Sequence, residues 1–176
     1  ASDVYKRQLG DWRDYDKEWT EIIASFPRGE LRDYLELVSK SGVDIAVKPQ
    51  YVDKLPKLWD GEVRGLLQRV DDHGRLDELA EKTSIKHILE RKLSGLSGGE
   101  LQRVAICATI LKEADVYFFD EPSSYLDIHE RMRVVNIIQS LVENGKRIIV
   151  IEHDLAILDV LCDLVHIVYG LSLIHI

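Results

Sequence analysis

No stretch of about 18 consecutive apolar residues occurs in the sequence, so no segment has the length and hydropathy of a membrane-spanning helix. No secretory signal peptide is expected either. Cysteine is scarce: Cys107 and Cys162 are the only two. Both fall inside apolar helical patterns, which reads as free thiols in a reducing compartment and argues against a disulfide framework or a metal site. Positive charge is also short. The 31 Asp and Glu outnumber the 23 Lys and Arg, leaving a net charge of −8 at pH 7. That excludes a general nucleic-acid binder and leaves any RNA contact to a local basic patch. There is no internal repeat and no low-complexity tract. Nor is there a Gly-x-x-x-x-Gly-Lys-Ser/Thr loop, the sequence that cradles nucleotide phosphates on its backbone. Residues 1–8 and 171–176 fit no surrounding pattern and read as translated adaptor sequence, so no fold is expected of them.

What is present suits one soluble domain with a core: 176 residues, 45% hydrophobic and 31% charged. Apolar spacing predicts a helix over 19–26, a break at Pro27-Arg28-Gly29 and a second helix over 30–38. A short strand over 43–47 runs into Lys48-Pro49-Gln50, where Pro49 marks a loop. Residues 61–92 read as short helices, with Ser84 as an N-cap. A helix is expected over 98–112, with Leu101, Val104, Ala105, Ala108 and Leu111 on its inner face. The apolar run 116–119 reads as a strand covered on both faces. Next come a helix over 128–143 that turns Val134, Ile138, Leu141 and Val142 inward and stops at Gly145, a second buried strand over 148–151, a helix over 155–162 and a strand over 164–169. Alternating helix and strand implies a parallel sheet with helices on its faces. Ligands of such sheets sit beyond the carboxyl ends of the strands. Two strands end there in polar residues, Asp120-Glu121 and Glu152-His153.

The chemistry-bearing residues group around those ends. Asp120 and Glu121 close an apolar strand. Asp120 suits a magnesium ion held through its water shell, and Glu121 suits a group that orients or deprotonates water. Ser97-Gly98-Gly99-Glu100 opens a helix. Its bare backbone N–H groups and partial positive charge suit an anion, and Ser97 is either an N-cap or a phosphate donor. His153 is placed to meet a γ-phosphate and to steady the water and Glu121. The Gln50 amide is placed to reach Mg²⁺ or the same water.

Taken together, Gln50, the run Leu96-Ser97-Gly98-Gly99-Glu100-Leu101-Gln102, the strand into Asp120, the loop Ser124-Tyr125-Leu126-Asp127, and His153 resemble the ABC ATPases. They fill the places of the Q-loop, signature, Walker B strand, D-loop and switch histidine. Lys48-Pro49-Gln50-Tyr51-Val52-Asp53 and the Tyr in the D-loop narrow the likeness to the ribosome-recycling ATPases, also called the RNase L inhibitor family or ABC subfamily E. The resemblance covers roughly residues 9–170.

The resemblance implies an α/β fold: a partial P-loop NTPase-like nucleotide-binding domain with a mostly parallel sheet. Within it would lie a helix–loop–helix insertion over about 15–41, a helical subdomain over about 61–112 and the Walker B, D-loop and switch core over 113–170. It implies ATP hydrolysis with ATP and Mg²⁺ as cofactors. Glu121 and His153 would be catalytic, and Asp120 and Gln50 would serve the metal. Leu96, Ser97, Gly98, Gly99, Glu100 and Gln102 would meet ATP held by a second cassette of the same longer chain, with Ser124 and Asp127 in the D-loop. It implies a cytoplasmic protein that splits ribosomes after termination, with no membrane and no direct DNA partner. Lys17, Arg28 and Arg32 would contact the small ribosomal subunit. The family's iron–sulfur clusters would belong to a cysteine-rich region outside these residues. Without the phosphate loop, this chain alone is expected to hydrolyse no ATP. The alternatives are the nucleotide-binding subunit of an ABC transporter and a non-catalytic ribosome-binding fragment.

Overall fold

In a computed structural model of the chain, the described residues are 24, 27–29, 32, 33, 36, 42, 44–162, 164 and 165. The expected helix–loop–helix falls almost wholly outside them, although Ala24, Arg32, Asp33 and Glu36 have helical backbone. The expected strand over 164–169 is not found at Leu164 and Val165, and its remainder lies outside the described residues.

Three described strands form a parallel sheet in the order β1 (Ile45–Lys48), β2 (Val116–Asp120), β3 (Arg147–Ile151). Lys48 pairs with Phe119, and Asp120 pairs with Ile151, so all three carboxyl ends reach one rim. Alternation along the strands puts Ala46, Lys48, Tyr117, Phe119, Ile148 and Val150 on one face, toward the hydrophobic core. The opposite face is open at the flanking strands. Ile149 and Ile151 are 51% and 50% exposed, which corrects the expectation of a strand buried on both sides. An apolar run signals strand, but it does not reveal whether the strand lies in the middle of the sheet or at its margin. Only β2 has neighbours on both sides among the described residues, and its residues are all buried or half-buried.

Helices α1 (Leu55–Leu58), α2 (Val63–Gln68), α3 (Leu76–Lys82), α4 (Gly98–Leu111), α5 (Ile128–Glu143) and α6 (Leu155–Leu161) complete the described elements, with short 3₁₀ turns at Val52–Lys54, Lys86–Ile88 and Leu93–Gly95. Sequence reading assigned nothing to 52–58. There, Pro56 near the start of α1 supplies a preset φ where no N–H is needed. Helix α4 packs on β1, β2, α2 and α3, and α5 packs on β3 and α6. The inner face expected of α4 was too narrow. Gln102, Ile106, Cys107, Thr109 and Ile110 are buried as well, so the helix is enclosed nearly all round.

Two helix ends show how local chemistry sets these boundaries. Gly145 takes φ 78, its N–H donates to the Val142 carbonyl, and Lys146 N–H donates to that of Leu141. That is a Schellman stop for α5, as its sequence suggested. Ser84 repeats it after α3. At φ 56 it donates to the Glu81 carbonyl, and Ile85 N–H reaches that of Ala80. Ser84 therefore ends one helix instead of capping the next, because an αL residue closes the chain onto the turn behind it. Val142 is a second correction. It is 48% exposed, and Val135 and Ile137 are buried with Val134, Ile138 and Leu141.

Core burial supplies the driving force. Val63, Leu67, Ile88, Leu93, Val104 and Ile106 have no exposed surface, and each contributes about 1.5–3 kcal/mol. Cys107 lies among them, and burial pushes its thiol up to about 12. In a Cys162→Ser protein, Cys107 should therefore resist alkylation at pH 8 and react only as urea unfolds the chain. Rapid labelling under native conditions, followed by mass spectrometry, would contradict this packing.

Candidate functional site

The rim where the strands end gathers the chemistry. Glu121 follows β2 directly, and its backbone is left-handed, with φ 46. For a residue with a Cβ that conformation costs about 1–3 kcal/mol, so its surroundings must impose it. Its N–H donates to the Ile151 carbonyl at 2.8 Å. Its own carbonyl accepts from Gln102 Nε2 at 2.7 Å and from Lys48 Nζ at 3.2 Å. The carboxylate is held separately: Gln50 Nε2 donates to Oε1 at 3.1 Å, and Ser124 Oγ donates to Oε2 at 3.1 Å. His153 Nδ1 lies 3.7 Å from Oε1. The imidazole is largely exposed, in the loop between β3 and α6. Six residues, from β1, the loop after it, α4, the turn after β2, β3 and the loop after that strand, thus converge on Glu121.

Glu152 closes the rim from β3. Its carboxylate is wholly buried. It accepts from Ser123 N–H at 3.2 Å, His153 N–H at 2.9 Å and Asp154 N–H at 3.3 Å. This fixes the loop that presents His153. Asp154 in turn caps α6 through Ala156 and Ile157 N–H and accepts from Arg131 Nη1 at 2.8 Å.

Asp120 ends β2 half-buried. Burial raises its pKa, Lys48 opposes that shift, and Glu121 and Glu152 add to it. Lys48 is the nearby cation. Fully buried, it donates to the Asp120 carbonyl at 2.6 Å as well as to that of Glu121. Desolvation brings its pKa down to about 8, against the upward pull of Asp120, Glu121 and Glu152.

The glycine-led turn lies at the start of α4. Ser97 Oγ accepts from Glu100 N–H at 3.3 Å, and Glu100 Oε2 accepts from Ser97 N–H at 2.7 Å, forming a reciprocal capping box. Glu100 Oε1 is taken by Arg91 Nη1 at 2.9 Å. The Ser97 N–H holds the Glu100 carboxyl below its usual range, burial opposes it, and the Ser97 side chain and Arg91 add to the lowering. Capping uses a lone pair of Ser97 Oγ, and the Ser97 hydroxyl also faces the Glu100 carboxylate. The two glycines answer a second demand besides room for an anion. A Cβ on Gly99 would stand 2.9 Å from the Tyr125 carbonyl, and one on Gly98 would stand 3.3 Å from the Tyr125 ring. Tyr125 itself is left-handed at φ 65. The loop that follows Glu121 thus rests on the start of α4. Asp127 caps α5 by accepting from Glu130 N–H at 2.9 Å.

The structure brings together Gln50, Asp120, Glu121, Ser124 and His153, all singled out from sequence. It corrects Gln102, which was grouped with the nucleotide-facing residues. With no exposed surface, Gln102 points at the Glu121 carbonyl instead. Three residues beyond Gly99, Gln102 lies about one turn further along the same helix face, the one that packs on the loop after β2. Leu96 is half-exposed ahead of the turn. Lys48 and Glu152 were not named as site residues. A lysine two positions after Ala46 on a buried strand face was the available signal for the first. In the amino-terminal part, Lys17 lies outside the described residues, Arg28 is exposed, and Arg32 pairs with Glu36 at 3.3 Å.

The donor set suits a hard divalent cation. Asp120 and the Gln50 amide would offer oxygen donors at the rim, and Mg²⁺ characteristically takes one or two carboxylates, keeps waters and shares phosphate oxygens. Among the described residues no group of three His, Cys, Asp or Glu could enclose a metal without such help.

Lys48 generates a test in the pH dependence of stability. Its folded pKa is below the unfolded 10.5, so between about pH 8 and 10.5 the unfolded chain binds more protons and stability rises with pH. Relative to a Lys48→Met protein, the parent should gain on the order of 3 kcal/mol across that window in urea titrations. Parallel curves for the two proteins would contradict the burial of a charged ammonium.

Comparison with known proteins places this geometry. The protein family described as ABC transporter matches residues 17–124. An uncharacterised ABC transporter ATP-binding protein of Methanocaldococcus jannaschii is 49% identical over 158 residues, 89% of this chain and 26% of that protein. The translation initiation factor rli1 of Schizosaccharomyces pombe is 40% identical over 168 residues, 94% of this chain and 28% of that protein. A crystal structure of the archaeal ribosome recycling factor aABCE1 in complex with the archaeal ribosomal stalk protein aP1 superposes with a TM-score of 0.81 at 46% identity, covering 88% of this chain and 30% of that one. The chain spans about a quarter of the length of the curated relatives it matches. It belongs to the ABC transporter ATPase family, on the branch that holds the RNase L inhibitor and ribosome-recycling proteins.

Proposed function

We propose that this chain is part of one cassette of an ATP-hydrolysing protein that splits ribosomes after termination. One observation carries the reading: the Glu121 carboxylate is held by Gln50 and Ser124, with His153 beside it, at the rim where parallel strands end. Glu121 is the general base that accepts a proton from water, a role worth about 10²–10⁴ in rate. Gln50 and Ser124 aim it, and His153 steadies the water and contacts the γ-phosphate. Asp120 and Gln50 serve Mg²⁺. When bound, ATP with Mg²⁺ supplies the phosphoryl group that is transferred to water.

Leu96, Ser97, Gly98 and Gly99 meet the ATP of a second cassette, through the Ser97 O–H and the backbone at the start of α4. Glu100 acts one step back, as the cap that shapes that turn. Ser124 and Asp127 belong to the D-loop, and their contacts tie it to Glu121 and α5. Lys17, Arg28 and Arg32 are the candidate contact with the small ribosomal subunit. The names of the yeast and archaeal relatives, a translation initiation factor and a ribosome recycling factor, support a ribosomal partner. The name of the M. jannaschii relative supports a second reading, a transporter's nucleotide-binding subunit. We place the protein in the cytoplasm, with neither membrane nor DNA as partner and with iron–sulfur clusters in a region outside these residues. The 176 residues contain no phosphate loop, so we expect no turnover from the chain alone.

In a protein carrying both cassettes, Glu121→Gln should lower ATP turnover by about 100-fold or more while leaving ATP binding intact. Undiminished turnover would remove Glu121 as the base, and Glu121-dependent turnover by this chain alone would overturn the need for a phosphate loop. Co-sedimentation with small ribosomal subunits is expected, and Arg28→Glu with Arg32→Glu should weaken it. Co-sedimentation with membranes instead would move the assignment to a transporter.

A further inference from the structure

Glu121 carries two separate sets of restraints. Gln50 and Ser124 hold its carboxylate, whereas Gln102 and Lys48 hold only its backbone. The backbone set has features that packing alone does not require. Gln102 has no exposed surface, its Nε2 is spent on one carbonyl, and its Oε1 has no hydrogen-bond partner among the described residues. An apolar side chain of similar size would fill the same volume without a buried unpaired oxygen. Lys48 likewise places an ammonium inside the core face of a parallel strand, where an aliphatic residue is the usual occupant. Gln102 spends this cost on the Glu121 carbonyl oxygen, and Lys48 reaches the same atom at 3.2 Å beside its 2.6 Å bond to the Asp120 carbonyl. That oxygen belongs to a residue whose left-handed backbone must be imposed from outside. The ammonium also faces Asp120, Glu121 and Glu152, so it balances three acids that crowd one turn.

We propose that Lys48 and Gln102 are positioning residues that clamp the Glu121 carbonyl, and so fix the direction in which the Glu121 carboxylate leaves the turn. This rests on the reading of Glu121 as the base. Gln102 acts from α4, the helix whose first turn is assigned to a neighbouring cassette's nucleotide. Lys48 acts from the strand that leads to Gln50. Neither touches substrate or the reacting atoms; each works through Glu121.

Two readouts test the clamp. The first needs no nucleotide: amide hydrogen exchange on this chain, comparing the parent with Gln102→Met and Lys48→Met. Ser124 N–H donates to the clamped carbonyl, and Glu121 N–H donates to Ile151. Both should exchange at least about tenfold faster in the variants, while amides within α4 and α5 keep their protection. Gln102→Met keeps the volume and leaves Lys48 in place, so it serves even where Lys48→Met does not fold. The second readout is turnover in the two-cassette protein. There, Gln102→Met should lower kcat by roughly 10- to 100-fold with little change in KM, as a misdirected base would. Unchanged exchange at 121–124 in a folded Gln102→Met chain would overturn the clamp, as would unchanged kcat where Glu121→Gln abolishes turnover. Full turnover by Glu121→Gln would instead remove the functional reading and leave the exchange experiment to judge the clamp alone.

Discussion

A carboxylate that is to take a proton from water, the role proposed for Glu121, has to be held in one direction and still stay a good acceptor. The turn after β2 meets both demands by dividing the work. Glu121 receives single hydrogen bonds on its two carboxylate oxygens, from an amide and a hydroxyl. Among the described residues, the one full positive charge hydrogen-bonded to Glu121 is spent on its backbone carbonyl. A lysine bonded directly to the carboxylate would favour its charged form and weaken it as a base. Much of the neighbouring structure serves that turn. Helix α4 delivers Gln102, β1 delivers Lys48 and leads to Gln50, and β3 supplies the Ile151 carbonyl and the buried Glu152 that fixes the loop of His153.

The signature turn and the loop after Glu121 are mechanically joined within this chain. Gly99 leaves room for the Tyr125 carbonyl, and Gly98 leaves room for the Tyr125 ring. A change at the start of α4 therefore meets Tyr125 directly and Glu121 through Gln102. Close-packed contacts of this kind transmit displacement, because there is no slack volume to absorb it.

Much of the site was legible in the sequence because its polar residues interrupt apolar patterns. Asp120 and Glu121 end an apolar run, and Gly98 and Gly99 open a helix. The parallel sheet followed from helix–strand alternation. Less legible were features that depend on what lies across from a residue. Gln102 read as part of a nucleotide-facing run, yet its place one turn into α4 sends it inward. Ser84 resembled an N-cap because short polar residues serve both ends of helices, and only the backbone angle separates the two uses. Ile149 and Ile151 read as buried because hydropathy reports the strand and not its neighbours. Lys48 was passed over because a lone lysine beside a proline loop carries no signal until the strand's inward face is known.

The central claim is that this rim receives ATP with magnesium and that Glu121 faces the water that attacks it. The most direct test is a structure of the two-cassette protein bound to magnesium and a non-hydrolysable ATP analogue. The account predicts the ion at the Asp120 and Gln50 end of β2 and β1. It predicts the Glu121 carboxylate in line with the γ-phosphate, and the Ser97–Gly99 turn against the other cassette's nucleotide. An ion bound away from Asp120, or a Glu121 carboxylate turned from the γ-phosphate while turnover persists, would contradict it.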